Sequence, residues 1–245
     1  MATLEHREIR SNKKLRNNEY YNTQDTFDML YEQGKSNKKF SDLMQYIISE
    51  ENILLAYRNI KKNKGSKTCG TNKRTIIDIG EIDINKLINY VRYRLSNYEP
   101  KAVRRVEIPK PNSSKKRPLG IPTIEDRLIQ QCIKQILEPI CESKFSNHNY
   151  GFRPNRSTHH AISRCMFLIN QNKLHYVVDL DIQSFFDNVD HSKLIKQMWN
   201  LGMQDKQLIC IISKMLKAEI EGIGIPTKGT PIRRNIISFT IKHCS

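Results

Sequence analysis

The sequence predicts an α+β fold that is helix-rich and carries short antiparallel hairpins. Three observations predict it. Apolar residues recur at spacings of three and four over residues 43–60, 84–95 and 128–140, the period of a helix with one buried face. Two β-like runs flank a Pro- and Ser-bearing turn in VRRVEIPKPNSSKKRPLGIP, the punctuation of a hairpin. A further apolar run, HYVVDLDI, has the alternation of a strand.

The elements follow in chain order. Residues 1–40 are polar and rich in Lys and Asn, with one amphipathic piece, TFDMLYEQG, and are expected to form a loosely ordered arm. Leu43, Tyr46 and Ile47, then Ile53, Leu54, Leu55 and Ile60, fit one or two short amphipathic helices. Ser49 is the candidate N-cap of the second, with Glu50 and Glu51 in its first turn, where the helix dipole favours carboxylates. KKNKGSKTCGTNKR is a basic loop. Ile84, Leu87, Ile88, Val91 and Leu95 mark the next helix. After the hairpin, Thr123 and Asp126 open a strong helix with Leu128, Ile129, Cys132, Ile133, Ile136, Leu137 and Ile140 on one face. Ser157 caps a helix bearing Ile162, Cys165, Met166 and Ile169. The run HYVVDLDI is expected as a strand. DHSKLIKQMW and DKQLICIISKML begin two more helices, and IEGIGIP closes as a strand pair or extended hairpin. No internal repeat is visible.

The 245 residues are 38% apolar, enough for a real core. Lys+Arg total 41 against 25 Asp+Glu, a formal charge of +16, and the sequence pI is near 9.6. That balance points to a polyanion, nucleic acid being the usual one; a merely solvated basic surface gives the same count. No apolar run has the length of a membrane span, and MATLEHREIRSNKKLRNNEYYN lacks the apolar stretch of a signal peptide. A cytoplasmic protein with no membrane partner is expected. Six cysteines show no C-x-x-C pair, so reduced thiols are expected. His159-His160 is more consistent with a surface than with a metal ligand pair.

In a strand, Val177, Asp179 and Asp181 share one side and Val178, Leu180 and Ile182 the other. Two carboxylates then project from one face. Either they pair with lysines, or Asp181, with the backbone carbonyl of Ile182 beside it, holds a divalent cation; Mg²⁺ takes hard oxygen ligands and substrate phosphates. The hairpin tip KPNSSKKRP offers lysines that bind phosphate as point charges and an arginine that grips it as a fork; an ordinary solvated loop has the same composition. YGFRPNRS brings rings and arginines to a helix start, either to meet a nucleic-acid backbone or to form a structural corner.

Four blocks in order, NILLAYRNIKKNKGSKT, RPLGIPTIEDRLIQQCI, NYGFRPNRSTHHAI and VVDLDIQSFFDNVDHSKL, resemble the N-terminal blocks of group II intron reverse transcriptase–maturases. The resemblance covers most of residues 40–231. It implies the fingers of a right-hand polymerase over 41–174, a partial palm over 175–231 and an aberrant tail over 232–245. It implies RNA as partner (intron RNA or template), with primer DNA and a deoxynucleoside triphosphate. By resemblance, Asp181 matches the first metal-binding aspartate in D-I-x-x-F-F-D, and Mg²⁺ is the implied cofactor. Phe186 matches the aromatic gate beneath the incoming sugar, which disfavours a 2′-OH by steric exclusion. Arg117 matches the fingers arginine on the triphosphate, and Lys110 a lysine nearby. Asp179 and Asp187 are not family metal ligands, so structural or pairing roles are expected for them.

The sequence also departs from that family. The other catalytic carboxylates come from Y-x-D-D, and no Asp-Asp pair occurs here. The family pattern G-T-P-Q-G-G is met only by Gly229, Thr230 and Pro231, followed by Ile232, Arg233 and Arg234. RRNIISFTIKHCS can be back-translated, with chosen synonymous codons, so that a shift of one base reads Gly-Gly-Ile-Leu-Ser-Pro-Leu-Leu-Ser-Asn-Ile-Val, close to the family's continuation. A frame change after Pro231 is therefore expected, and the downstream DNA tests it. The expected function is a truncated RNA-directed DNA polymerase, catalytically incomplete alone. A splicing-helper RNA-binding module is the alternative, beside a remnant without function and a split enzyme completed by a C-terminal chain.

Overall fold

The structure is a computed structural model describing residues 16–109, 114, 116–151 and 153–230. Lys110, the first fifteen residues and the expected tail 232–245 lie outside the described residues, as does the side chain of Arg117. The order is α1 (Asn17–Tyr20), α2 (Gln24–Lys35), α3 (Met44–Ile47), α4 (Glu50–Lys62), α5 (Ile76–Gly80), α6 (Ile84–Ser96), β1 (Arg104–Pro109), β2 (Lys116–Ile121), α7 (Ile124–Glu142), α8 (Thr158–Asn170), α9 (His191–Asn200) and α10 (Lys206–Leu216). The fold is α+β and helix-rich, and its sheet is the antiparallel pair β1–β2.

The core is built around α7. Thr123 caps it, its hydroxyl oxygen accepting from the Asp126 amide at 3.3 Å. The apolar positions of the periodic face, from Ile124 to Ile140, are buried, each full burial contributing about 1.5–3 kcal/mol. Helices α2, α3 and α4 pack on this face. A buried polar pair sets how α4 lies on α7. Asn52 donates to the Ile47 and Cys132 carbonyls at 3.0 and 3.1 Å and accepts from Gln135 at 2.7 Å. Leaving either amide unmatched would cost about 1–3 kcal/mol, so sliding α4 along α7 is disfavoured.

One carboxylate joins segments far apart in sequence. Asp205 caps α10 by accepting from the Leu208 amide at 3.0 Å. Its second oxygen accepts from the Leu43 and Met44 amides at 2.7 and 3.0 Å, at the start of α3. Beside it, the Phe40 amide donates to the Gly202 carbonyl at 2.7 Å and the Gln204 amide to the Phe40 carbonyl at 2.8 Å. Gly202 has φ +98°, and a Cβ there would lie 2.8 Å from the Lys38 carbonyl oxygen, so only glycine fits this crossing.

Three features differ from the sequence expectations. Residues 24–35 of the expected loose arm form α2, with Leu30 fully buried against the core. The TFDML stretch gains more from burial than the surrounding polar residues gain from solvation. Residues 174–182 do not form the expected strand. Among the described residues no strand lies beside this run, so its backbone amides and carbonyls have no ladder, and a lone strand is unstable in water. Helix α8 forms, capped by Ser157 as expected, yet none of its residues is buried. No described helix is long and apolar enough to cross a membrane.

Candidate functional site

The base of the β1–β2 hairpin meets two later segments of the chain. In the ladder Arg105 stands opposite Gly120, Glu107 opposite Pro118 and Ile108 opposite Arg117. Val103, just before β1, is bonded to the later segment through Val103 N to Glu219 O at 2.7 Å and Glu221 N to Val103 O at 3.0 Å. A cavity of about 210 Å³ opens there, lined by Arg105, Pro118, Gly120, Asp187, Gly229 and Thr230 among others.

The F-F-D motif reaches this cavity through a tight turn. Ser184 sits in the left-handed region, φ 49°, and Phe185–Asp187 form one turn of 3₁₀ helix. Phe185 and Phe186 meet edge to face at 5.5 Å and pack on the main core. The Thr230 amide donates to the Phe186 carbonyl at 2.9 Å and the Gly229 amide to the Val189 carbonyl at 2.8 Å. The His191 ring nitrogen Nε2 lies 2.7 Å from the Gly229 carbonyl oxygen, and Lys228 donates to Asn188 at 3.0 Å. Gly229 has φ +80°, and a Cβ would meet the Asp187 carbonyl oxygen at 2.7 Å. Gly229 and Thr230 are thus held against the F-F-D turn by backbone bonds that any larger residue at 229 would break.

The other site candidates are placed differently. Asp181 is exposed, on the unpaired run, and makes no hydrogen bond or ion pair among the described residues. Ile182 is exposed beside it, and neither lines the hairpin cavity. Asp179 is exposed on the same run. The backbone of Arg117 is fixed in β2, and Lys110 falls outside the described residues. Asp181, Ile182 and Phe186 are thus the candidates whose surroundings the structure defines; Phe186 packs on the core, and of its motif only Asp187 lines the cavity. Arg105, His191 and Lys228 were not singled out by sequence; the strand alternation that points Arg105 outward was the available signal for the first.

Charges around the start of α7 are structural. Asp126 accepts from the Thr123 hydroxyl at 2.9 Å, the Lys101 amide at 3.1 Å and Arg94 at 2.9 Å; burial nevertheless lifts its carboxyl above the usual range. Burial also pulls the neighbouring Glu125 upward, but its backbone bond, the Asn72 amide and the Lys101 and Arg74 charges together hold it below the usual value. Arg127 donates to the Gly65 carbonyl at 2.9 Å and to that of Thr68, fixing the basic loop. In the YGFRPNRS run, Arg153 is buried. It bonds Glu142 at 2.6 Å and the Ser146 and Asn149 carbonyls at 2.6 and 3.0 Å. This arginine makes a structural corner. Arg156 stays exposed over the Tyr150 ring.

Residues 108–234 match the reverse transcriptase (RNA-dependent DNA polymerase) family. The chain belongs to the reverse transcriptase family. Its relatives include the group II intron-encoded protein LtrA of Lactococcus lactis subsp. cremoris, 38% identical over 179 residues, which are 73% of this chain and 29% of that protein. Protein YkfC of Escherichia coli is 32% identical over 188 residues, 75% of this chain and 49% of the relative. Nuclear intron maturase 1, mitochondrial, of Arabidopsis thaliana is 30% identical over 112 residues, 42% of this chain and 15% of the relative. The chain spans half or less of the length of each of these proteins.

Reverse transcriptases as a class use divalent metal ions. Among the described residues no three His, Cys, Asp or Glu side chains converge as a metal site. Asp181 is a single carboxylate on an unpaired run, whereas a divalent cation needs several fixed oxygen ligands. The donor set present does not fit a catalytic metal centre on its own.

Proposed function

We propose that this reverse transcriptase chain comprises the fingers (41–174) and part of the palm (175–231) of a group II intron-type RNA-directed DNA polymerase, and that it does not polymerise alone. The observation that carries the reading is the meeting of the β1–β2 hairpin, the F-F-D turn and the Gly229-Thr230 segment around one cavity. In this reading the hairpin receives the incoming nucleotide. Arg117 and Lys110 hold its triphosphate, through fork and point charge. Phe186, its carbonyl tied to Thr230, presents a fixed ring beneath the sugar and excludes a 2′-OH. Asp181 and the Ile182 carbonyl supply part of a Mg²⁺ ligand set that carboxylates from outside the described residues, or from a complementing chain, must complete. RNA is the template partner, with primer DNA, and the +16 charge makes its binding strongly salt-dependent.

Primer extension on an RNA template with Mg²⁺ tests this. No extension is expected from this chain alone, while Arg117→Glu is expected to weaken binding of a deoxynucleoside triphosphate. Extension that Asp181→Ala abolishes would show the chain to be complete as it stands. The splicing-helper alternative is favoured by the isolation of Asp181. It requires intron RNA to bind far more tightly than arbitrary RNA of equal length.

A further inference from the structure

A second site lies between α9 and α10 and shares no residue with the hairpin cavity. On α10 and its C-cap Lys217, positions 206, 209, 210, 213, 214 and 217 recur at three and four and line a groove of about 460 Å³, while Leu208, Ile211, Ile212 and Met215 face the core. The groove therefore lies along the outward face of the helix. Ile195, Ile209 and Trp199, all half-buried, line it. The Trp199 indole N–H has no partner among the described residues. Such a lining brings an aromatic ring and an N–H donor to the groove.

The rim is cationic. Lys206 and Lys217 stand exposed at opposite ends, roughly 16 Å apart along the helix. Lys214 between them donates to the Tyr98 carbonyl at 2.9 Å and pairs with Glu99, so the one carboxylate at the rim is neutralised within the chain and the two end lysines keep their charge for a ligand. Lys206 occupies the first position of α10, where the helix dipole disfavours a cation. A local rule is broken at that position without a carboxylate partner to offset it, as happens at functional positions.

We infer that this groove binds a single-stranded RNA segment of about five nucleotides, one base stacking on Trp199 and phosphates near the two ends of the segment meeting Lys206 and Lys217. An aromatic ring between cations is how single strands are held without sequence preference. A duplex would keep its bases stacked within itself and leave the ring unused. A stacked strand passes one phosphate per roughly 3.4 Å of axis, so the span between the two lysines corresponds to about five nucleotides. The inference does not depend on the nucleotide site, because it rests on another surface.

Trp199 is the only tryptophan of the chain, so its fluorescence reports on this groove alone. Titration of the intact chain with an unstructured oligouridylate should quench that fluorescence saturably. Inorganic polyphosphate should bind without the same quenching. Lys206→Glu with Lys217→Glu should flatten the salt dependence of the quenching titration, by a log–log slope of about 1.4 for two lost phosphate contacts. Its far-UV circular dichroism and urea midpoint should match the unaltered chain, both lysines being exposed. Arg117→Glu should leave the quenching unchanged, which separates this site from the nucleotide cavity. RNA binding seen by fluorescence anisotropy with no change at Trp199 would overturn the inference. So would quenching indifferent to the charge reversals, equal quenching by polyphosphate, or quenching by an acidic peptide but not by RNA.

Discussion

Helices α7 and α8 are alike in sequence and opposite in fate. Each begins at a hydroxyl N-cap, Thr123 or Ser157, and each carries apolar residues at helical spacing. On α7, Ile129, Ile133 and Ile136 are at most 1% exposed; on α8, Ile162 and Met166 are 56% and 57% exposed. The run after α8 continues the contrast, with Val177 and Val178 each 80% exposed and Leu180 87%. An apolar stripe states which side of a helix seeks burial, but the element that covers it has to come from elsewhere in the fold. Helix α7 is met by α2, α3 and α4. No described element covers α8 and residues 174–182. An exposed apolar surface of this kind marks an interaction site, and the complementing palm segment proposed above is the partner it would suit.

The largest expected effect lies in hydrogen exchange. Amides in the middle of α7 should exchange only through openings close to global unfolding, on the order of 5–15 kcal/mol for a domain. Amides of residues 176–182 should exchange within seconds, since no ladder protects them. Mass spectrometry of exchanged peptides reads both at once. Equal protection of the two regions would break the comparison.

Core truncation comes next. Ile133→Ala should destabilise by about 2–5 kcal/mol, the range for a buried branched residue that leaves a cavity. Ile162→Ala on α8 should shift stability by less than about 0.5 kcal/mol, as exposed substitutions do. Urea unfolding midpoints measure the pair, and a large effect at Ile162 would mean that α8 has a cover in solution.

Asp205→Ala should follow, at about 2–3 kcal/mol. It removes a cap worth about 1 kcal/mol and leaves two further amides, of Leu43 and Met44, without their acceptor. Ser49→Ala removes only a cap, from the Asn52 amide, and should cost about 1 kcal/mol. Similar midpoints for the two variants would show that Asp205 acts on α10 alone.

That pair also shows what was legible in the sequence. Ser49, Thr123 and Ser157 announce helix starts because a cap acts on amides two or three residues away. The apolar face of α7 and the pairing of β1 with β2 are equally local. Asp205 opens the DKQLICIISKML run expected as a helix, and nothing nearby reveals that its other oxygen holds Leu43, 162 positions earlier. The same limit applies at the candidate site. F-F-D and G-T-P are visible as motifs, yet the bond from Thr230 to Phe186 joins segments that only the fold brings together. The strand expected around Asp181 failed for a related reason: alternation supplies two faces, whereas a strand also requires a neighbour for its backbone. Arg153 was open to either use by type, and the Glu142 carboxylate one helix earlier decided it.

The smallest effect concerns the polar edge of α7. Burial raises the Glu138 carboxyl above its ordinary value of 4.5, Lys134 pulls it down and Glu142 pushes it up. The Lys134 contact, at 3.9 Å, is long for an ion pair. A carboxyl with a folded-state pKa above its unfolded one binds its proton more tightly when folded. The stability it contributes is therefore present below about 4.5 and is lost as pH rises through the folded value. Glu138→Gln removes this dependence while keeping a good helix former. The variant and the unaltered chain should be equally stable near pH 4. By pH 7 the variant should be the more stable. Urea midpoints at several pH values would show the gap opening upward. A gap of opposite sign at pH 7 would mean that the Lys134 pair outweighs burial at Glu138.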